Sequence, residues 1–146
     1  MSAPVLIVED NEDEVVLLRR ALRLANITVP VAIVTDGAAA IEYLEGRGRY
    51  GDRTQHPLPQ LVLLDLRLPR VPGLDVLRWV RQQPGLRRLP VIVFTSSAEH
   101  RDVITAYELG ANSYLVKPSE LQDLQDVARR IHEYWIECNL RPPLNA

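Results

Sequence analysis

LVLLDLRLPRVPGLDVL, Leu61 to Leu77, changes its period once, and that change decides the fold. The first four residues are continuously apolar, the pattern of a strand buried on both faces rather than one with a wet side. After Asp65, Leu74 and Leu77, continued by Val80, recur at helical spacing. The same alternation runs outward in both directions. VLIV (Val5–Val8), VAIV (Val31–Val34), VIVF (Val91–Phe94) and YLV (Tyr114–Val116) read as further buried strands. Val15, Leu18, Leu22 and Ala25 form a helical stripe after the first strand, and Ile41 and Leu44 follow the second. Val103, Ala106 and Tyr107 come after the fourth, and Leu121, Leu124, Ala128, Ile131 and Trp135 after the fifth. Ser97 and Ser119 stand where the last two helices would be capped. Strict βα alternation predicts an α/β protein, a parallel sheet of five strands with helices on both faces.

The totals bound the rest. A chain of 146 residues is one ordinary domain, and 47% hydrophobic with 25% charged residues is a globular composition. A net charge of −2 gives no electrostatic pull toward nucleic acid or an anionic membrane. Cys138 is alone, so no intrachain disulfide is expected, as suits a reducing compartment. The start, MSAPVLIVED, lacks the basic region and apolar length of a signal peptide, and no run reaches the roughly 18 apolar residues of a membrane span. A cytoplasmic protein is expected. Two segments fall outside the compact scheme: a long connection over residues 45–60, and a tail, NLRPPLNA, that cannot continue a helix past Pro142 and Pro143. Each is expected to be either disordered or a partner surface.

In open α/β sheets, ligands sit beyond the carboxyl ends of the strands. Those ends carry Glu9 and Asp10 after the first strand, Asp65 after the third, Thr95 after the fourth and Lys117 after the fifth. Three packed carboxylates repel unless a cation neutralises them, and an all-oxygen donor set without nearby His or Cys points to Mg²⁺. A carboxylate beside Mg²⁺ can attack phosphorus and form an acyl phosphate. The phosphoryl oxygens then need donors, which Thr95 and Lys117 supply. Lys117 is the only lysine among seventeen basic residues. A compact ammonium on a flexible stem can follow one moving oxygen, whereas a guanidinium is a larger planar fork. A cis bond before Pro118 would turn the chain and aim this side chain inward.

VLIVEDNEDE, LVLLDLRLPRVPGLDVL, VIVFTSSAE and GANSYLVKPSE together resemble the receiver domain of two-component response regulators, in order and spacing over about residues 4–135. The resemblance implies a flavodoxin-like (βα)5 fold with strand order 2-1-3-4-5, and a phosphoryl group taken from the phosphohistidine of a sensor histidine kinase. By position it makes Asp65 the acceptor, Glu9 and Asp10 the acidic pair, Thr95 the switch hydroxyl, Tyr114 the switch aromatic and Lys117 the phosphate-binding lysine. It makes the backbone carbonyl of Arg67 the third protein ligand to Mg²⁺. Two residues depart from the family pattern: Glu9 stands where Asp is commoner, and Arg67 places a large charged side chain where the family controls access of water to the acyl phosphate. The domain is expected over residues 1–135, with an insertion at about 45–60, a C-terminal extension at 136–146 and no output domain. Insertion and extension resemble the single-domain regulators paired with phytochrome-type histidine kinases.

Other readings bear on particular residues. Tyr114 reads equally as packing on the sheet edge. His56, His100 and His132 read as surface residues, Trp79 and Trp135 as covers for helix seams, and Cys138 as inert. Val127, Tyr134 and Ile136 lie off the stripe of the last helix, and with Leu140 and Leu144 they suggest a partner surface. A homodimer through the face of the fourth helix, fifth strand, fifth helix and extension is the expectation. Rival functions are a Mg²⁺-dependent phosphatase working through an aspartyl phosphate, a flavin or nucleotide carrier, and a receiver-like adaptor that is not phosphorylated. The phosphatase would want an acid where Arg67 stands, and the acidic EDNEDE would repel the phosphate of a carrier.

Overall fold

A computed structural model describes residues 3–144. Five parallel strands, β1 (Val5–Val8), β2 (Val31–Val34), β3 (Leu61–Leu64), β4 (Val91–Thr95) and β5 (Ser113–Val116), form one sheet in the order β2-β1-β3-β4-β5, as the resemblance to receiver domains implies. Helices α1 (Glu12–Leu24), α2 (Gly37–Glu45), α3 (Gly73–Gln82), α4 (His100–Glu108) and α5 (Leu121–Ile131) alternate with them. Side chains point alternately to the two faces of a strand. Leu6, Val8, Val62, Leu64, Val91 and Val93 therefore meet α2 and α3, while Val5, Ile7, Leu61, Leu63, Ile92 and Phe94 meet α1 and α5. These two dry layers are why the strands carry no polar alternation. The outer strands β2 and β5 are only partly buried, apart from buried Val34 and exposed Val116, as edges are.

Side-chain caps fix the starts of α1 and α2. Asn11 Oδ1 accepts from Glu14 N–H at 3.1 Å, and Asp36 Oδ1 accepts from Ala39 N–H at 2.7 Å. The serines expected as caps do not sit at the N-cap positions. The last two helices start after Glu99 and Glu120 without a side-chain cap, and Ser97 instead donates its hydroxyl to Asp102 Oδ2 at 2.6 Å. Tyr107 also leaves its expected stripe. Ala106 alone of α4 is fully buried, so Tyr107 is turned outward, half exposed.

Neither irregular segment is loose. Arg53 donates to the carbonyls of Tyr43 and Leu44, which end α2, and to that of His56, at 2.7, 2.8 and 3.0 Å. One guanidinium thus satisfies orphan carbonyls of a helix end and ties the long connection to them. Tyr50, on a 3-10 turn, is buried and stacks at a tilt on Tyr43, and His56 stands edge-on to both rings. His56 is therefore half buried rather than a surface residue, as is His132, while His100 is exposed. The tail folds back under the sheet, where Leu144 packs on the α2/α3 core and Pro143 O accepts from Arg88 at 2.7 Å. Residues 145 and 146 of the expected extension lie outside the described residues.

The last helix is also not one regular stripe. After Ile131 it widens into π-helical turns over His132–Cys138, with Asn139 N–H donating five residues back to Tyr134 O at 2.6 Å. The extra residue per turn swings Trp135 and Ile136 together onto the α1/α5 core, where Val127 joins them. Val127 and Ile136 are therefore core, not partner surface, whereas Tyr134 and Leu140 stay exposed.

Gly73 couples this frame to the strand ends. A Cβ there would stand 2.1 Å from Asp65 O and 2.7 Å from Leu66 Cα, so α3 can begin against the turn after β3 only with hydrogen at that position. Gly73→Ala is expected to lower stability by about 1–3 kcal/mol, the usual cost of overpacking, read as a lower urea midpoint with unchanged slope.

Candidate phosphoryl-acceptor site

The sheet's hydrogen-bond ladders continue one residue past the strands, and those residues are the rim. Glu9 N–H donates to Val34 O at 3.0 Å, Asp65 N–H to Val8 O at 3.1 Å, and Lys117 N–H to Thr95 O at 2.8 Å. Register alone thus brings residues far apart in sequence to one edge. The Lys117 ammonium contacts Glu9 Oε1, Glu14 Oε2 at 3.0 Å and Asp65 Oδ2 at 3.1 Å. Its side chain is only 11% exposed. The bond before Pro118 is trans, as is every other described peptide bond, which corrects the cis expectation. The ladder bond to Thr95 already aims the side chain inward, so the intrinsically favoured isomer suffices.

Glu9 and Asp65 are buried and Asp10 is exposed. One carboxylate oxygen from each lies within 4.8 Å of the others, a spacing that suits a shared cation. Glu9 Oε2 accepts from Asn11 N–H at 3.1 Å, and Asp65 Oδ1 from Arg67 N–H at 3.3 Å. Burial pushes the Glu9 carboxyl up to about 7, the nearby charge of Asp65 adding to the rise, although the hydrogen bonds from Lys117 and Asn11 pull the other way. Burial by itself would lower Lys117, but its bonds to Glu9 and Glu14 and the charge of Asp65 outweigh that and hold it above the ordinary lysine range.

Thr95 is fully buried at the end of β4, and its hydroxyl accepts weakly from Ser97 N–H at 3.5 Å. Tyr114, half buried on β5, donates its hydroxyl to Ser97 O at 2.9 Å, and burial raises its pKa. Both residues thus hold the same short loop after β4. Arg67 is exposed at the mouth. Glu14 was not among the residues picked from the sequence. Its signal is its place: it stands in the first turn of α1, the helix that begins directly after the acidic pair at the rim.

A profile of the response regulator receiver domain matches residues 5–129. The chain belongs to that family. This receiver is 39% identical over 138 residues to the response regulator Rcp1 of Synechocystis sp., covering 94% of this chain and 92% of that one. Among solved structures it superposes on the phosphorylated cyanobacterial phytochrome response regulator RcpA with TM-score 0.89 and 32% identity, over 97% of this chain and 99% of that one. It is also similar to the Mn²⁺-bound form of Rcp1, with TM-score 0.85 and 38% identity over 97% and 99% of the two chains.

Glu9 holds its proton more tightly folded than unfolded. Its contribution to stability is therefore complete below the ordinary glutamate value of 4.5 and is lost as pH rises through about 7. Without divalent cations, the thermal midpoint is expected to fall between pH 5 and pH 8. Glu9→Gln is expected to flatten that slope in calorimetry.

Proposed function

We propose that this receiver takes a phosphoryl group onto Asp65 from the phosphohistidine of a phytochrome-type sensor histidine kinase and passes the signal on as a change in partner affinity, in the cytoplasm. The observation that carries it is the buried Lys117 ammonium 3.1 Å from Asp65 Oδ2. An Asp65 oxygen attacks phosphorus and the P–N bond breaks. Its electron pair returns to the imidazole nitrogen, and an acyl phosphate remains on the protein. Glu9, Asp10, Asp65 and the Arg67 carbonyl would hold Mg²⁺, which supplies neutralisation for the acids and for the arriving phosphoryl oxygens. The clustered hard oxygens fit that ion. Lys117 and the Thr95 hydroxyl grip the transferred oxygens from the other side. The pairing with phytochrome-type kinases is supported by the likeness to RcpA.

Phosphorylation shifts an equilibrium only through contacts that differ between its two states. Thr95 and Tyr114 are the levers. A hydroxyl drawn toward the phosphoryl group pulls the loop that also holds the Tyr114 hydroxyl through Ser97 O. Next to Tyr114, Ile104, Tyr107 and Val116 are 55, 50 and 48% exposed, an apolar patch across α4 and β5. A homodimer through α4, β5, α5 and the extension, where Leu140 is also exposed, would cover it.

With acetyl phosphate and Mg²⁺, the intact mass is expected to rise by one phosphoryl group, and Asp65→Asn to show no gain. Lys117→Ala is expected to slow the reaction by about a hundredfold, the usual cost of one transition-state donor. Release of phosphate from many monoesters would instead make the protein a phosphatase. In sedimentation at tens of micromolar, beryllofluoride is expected to yield a dimer that Ile104→Asp abolishes. A monomer under all conditions would remove the dimer.

A further inference from the structure

We propose that Glu14 is a positioning residue that restrains Lys117 in the unphosphorylated state and slows phosphoryl uptake. The inference rests on Asp65 being the acceptor and goes beyond it in naming what holds the lysine beforehand.

An ammonium has three N–H donors, and those of Lys117 face Glu9, Glu14 and Asp65. Gripping a phosphoryl oxygen outside Asp65 therefore requires the ammonium to move outward and give up a partner. Glu9 is ill suited to release it. Its side chain is 6% exposed, so a carboxylate that let the lysine go would have little contact with solvent in its place. Glu14 is 43% exposed and lies in the first turn of α1, where water and the helix's N-terminal N–H groups can stabilise a released carboxylate.

The local backbone shows that Glu14 has been freed for this contact. It stands three residues after the N-cap Asn11, the position from which a glutamate ordinarily reaches back to the N-cap N–H. Here that N–H donates to Glu9 Oε2 instead, and Glu14 turns to Lys117. Glu14 is also outside the cluster of carboxylates spaced for a cation, so a metal there would leave its charge to the lysine alone. That charge both anchors the lysine and repels an anionic phosphoryl donor.

Lys117 is the only lysine, so protein labelled with ¹³Cε-lysine gives one side-chain signal. The ligand-free Glu14→Gln signal is expected to lie displaced from the wild-type position toward that of beryllofluoride-bound wild type. Its uptake of phosphoryl from acetyl phosphate is expected to be roughly three- to tenfold faster, the size of one partly screened charge. Glu14→Ala carries the same two expectations should Gln disturb the helix start. An unmoved lysine signal, or an unchanged or slower rate, overturns the proposal. If wild type gains no phosphoryl group at all, the acceptor reading fails with it; if wild type is modified on Asp65 and the variants match it, only the role of Glu14 falls.

Discussion

Parallel register governs this protein's chemistry. Each strand ends on the same edge, and ladder bonds one residue past β1, β3 and β5 fix the backbones of Glu9, Asp65 and Lys117 before any side chain interacts. The side chains then need only their own rotamers to converge. Burying two carboxylates and an ammonium is unfavourable piece by piece, since each loses water. It is tolerable here because every hydrogen on the ammonium has an acceptor and each buried acid also accepts a backbone N–H. Slipping any one strand by a residue would turn its rim residue into the core and leave the others unpaired.

Much of this was legible in the residues, because two-sided burial imposes an unbroken apolar run and a run has a definite end. VLIV, LVLL, VIVF and YLV gave the strands, and what followed each gave Glu9, Asp10, Asp65 and Lys117. Helix rotation was less legible. α4 offers the sheet chiefly Ala106, so several phases fit its short pattern, and Tyr107 was assigned inward although it faces out. The π turns after Ile131 break the 3.6 period on which the placement of Ile136 depended, whereas Val127, three residues after Leu124, lies in the regular part of α5 and packs on the same core. Glu14 escaped for a related reason: in an acidic run, sequence cannot say which carboxylate finds the distant ammonium. The trans bond at Pro118 shows a device inferred where ladder geometry was already enough.

Arginine and lysine divide the labour cleanly. Arg53 gathers two carbonyls at the end of α2 and one in the long connection, and Arg81 bonds the carbonyls of Arg87, Leu89 and Gly110 and the side chain of Asn112. Such forked, fixed contacts suit a planar group whose donors are set in direction. They hold the long connection and the β4 and β5 entries, at the ends of the strands opposite the acidic rim. The lysine sits where the proposed function needs a donor that can follow a moving oxygen.

A chain in which all the permanent cations but one are guanidinium also has an unusual relation to acylating chemistry. Acetyl donors that attack amines find, apart from the chain's own start, one target, and it lies sunk beneath Glu14 with 11% of its side chain showing. The exterior therefore keeps its positive charge wherever small acyl phosphates accumulate and acetylate surface lysines of other proteins. Under the proposed function, the same donors would still be used at the neighbouring aspartate.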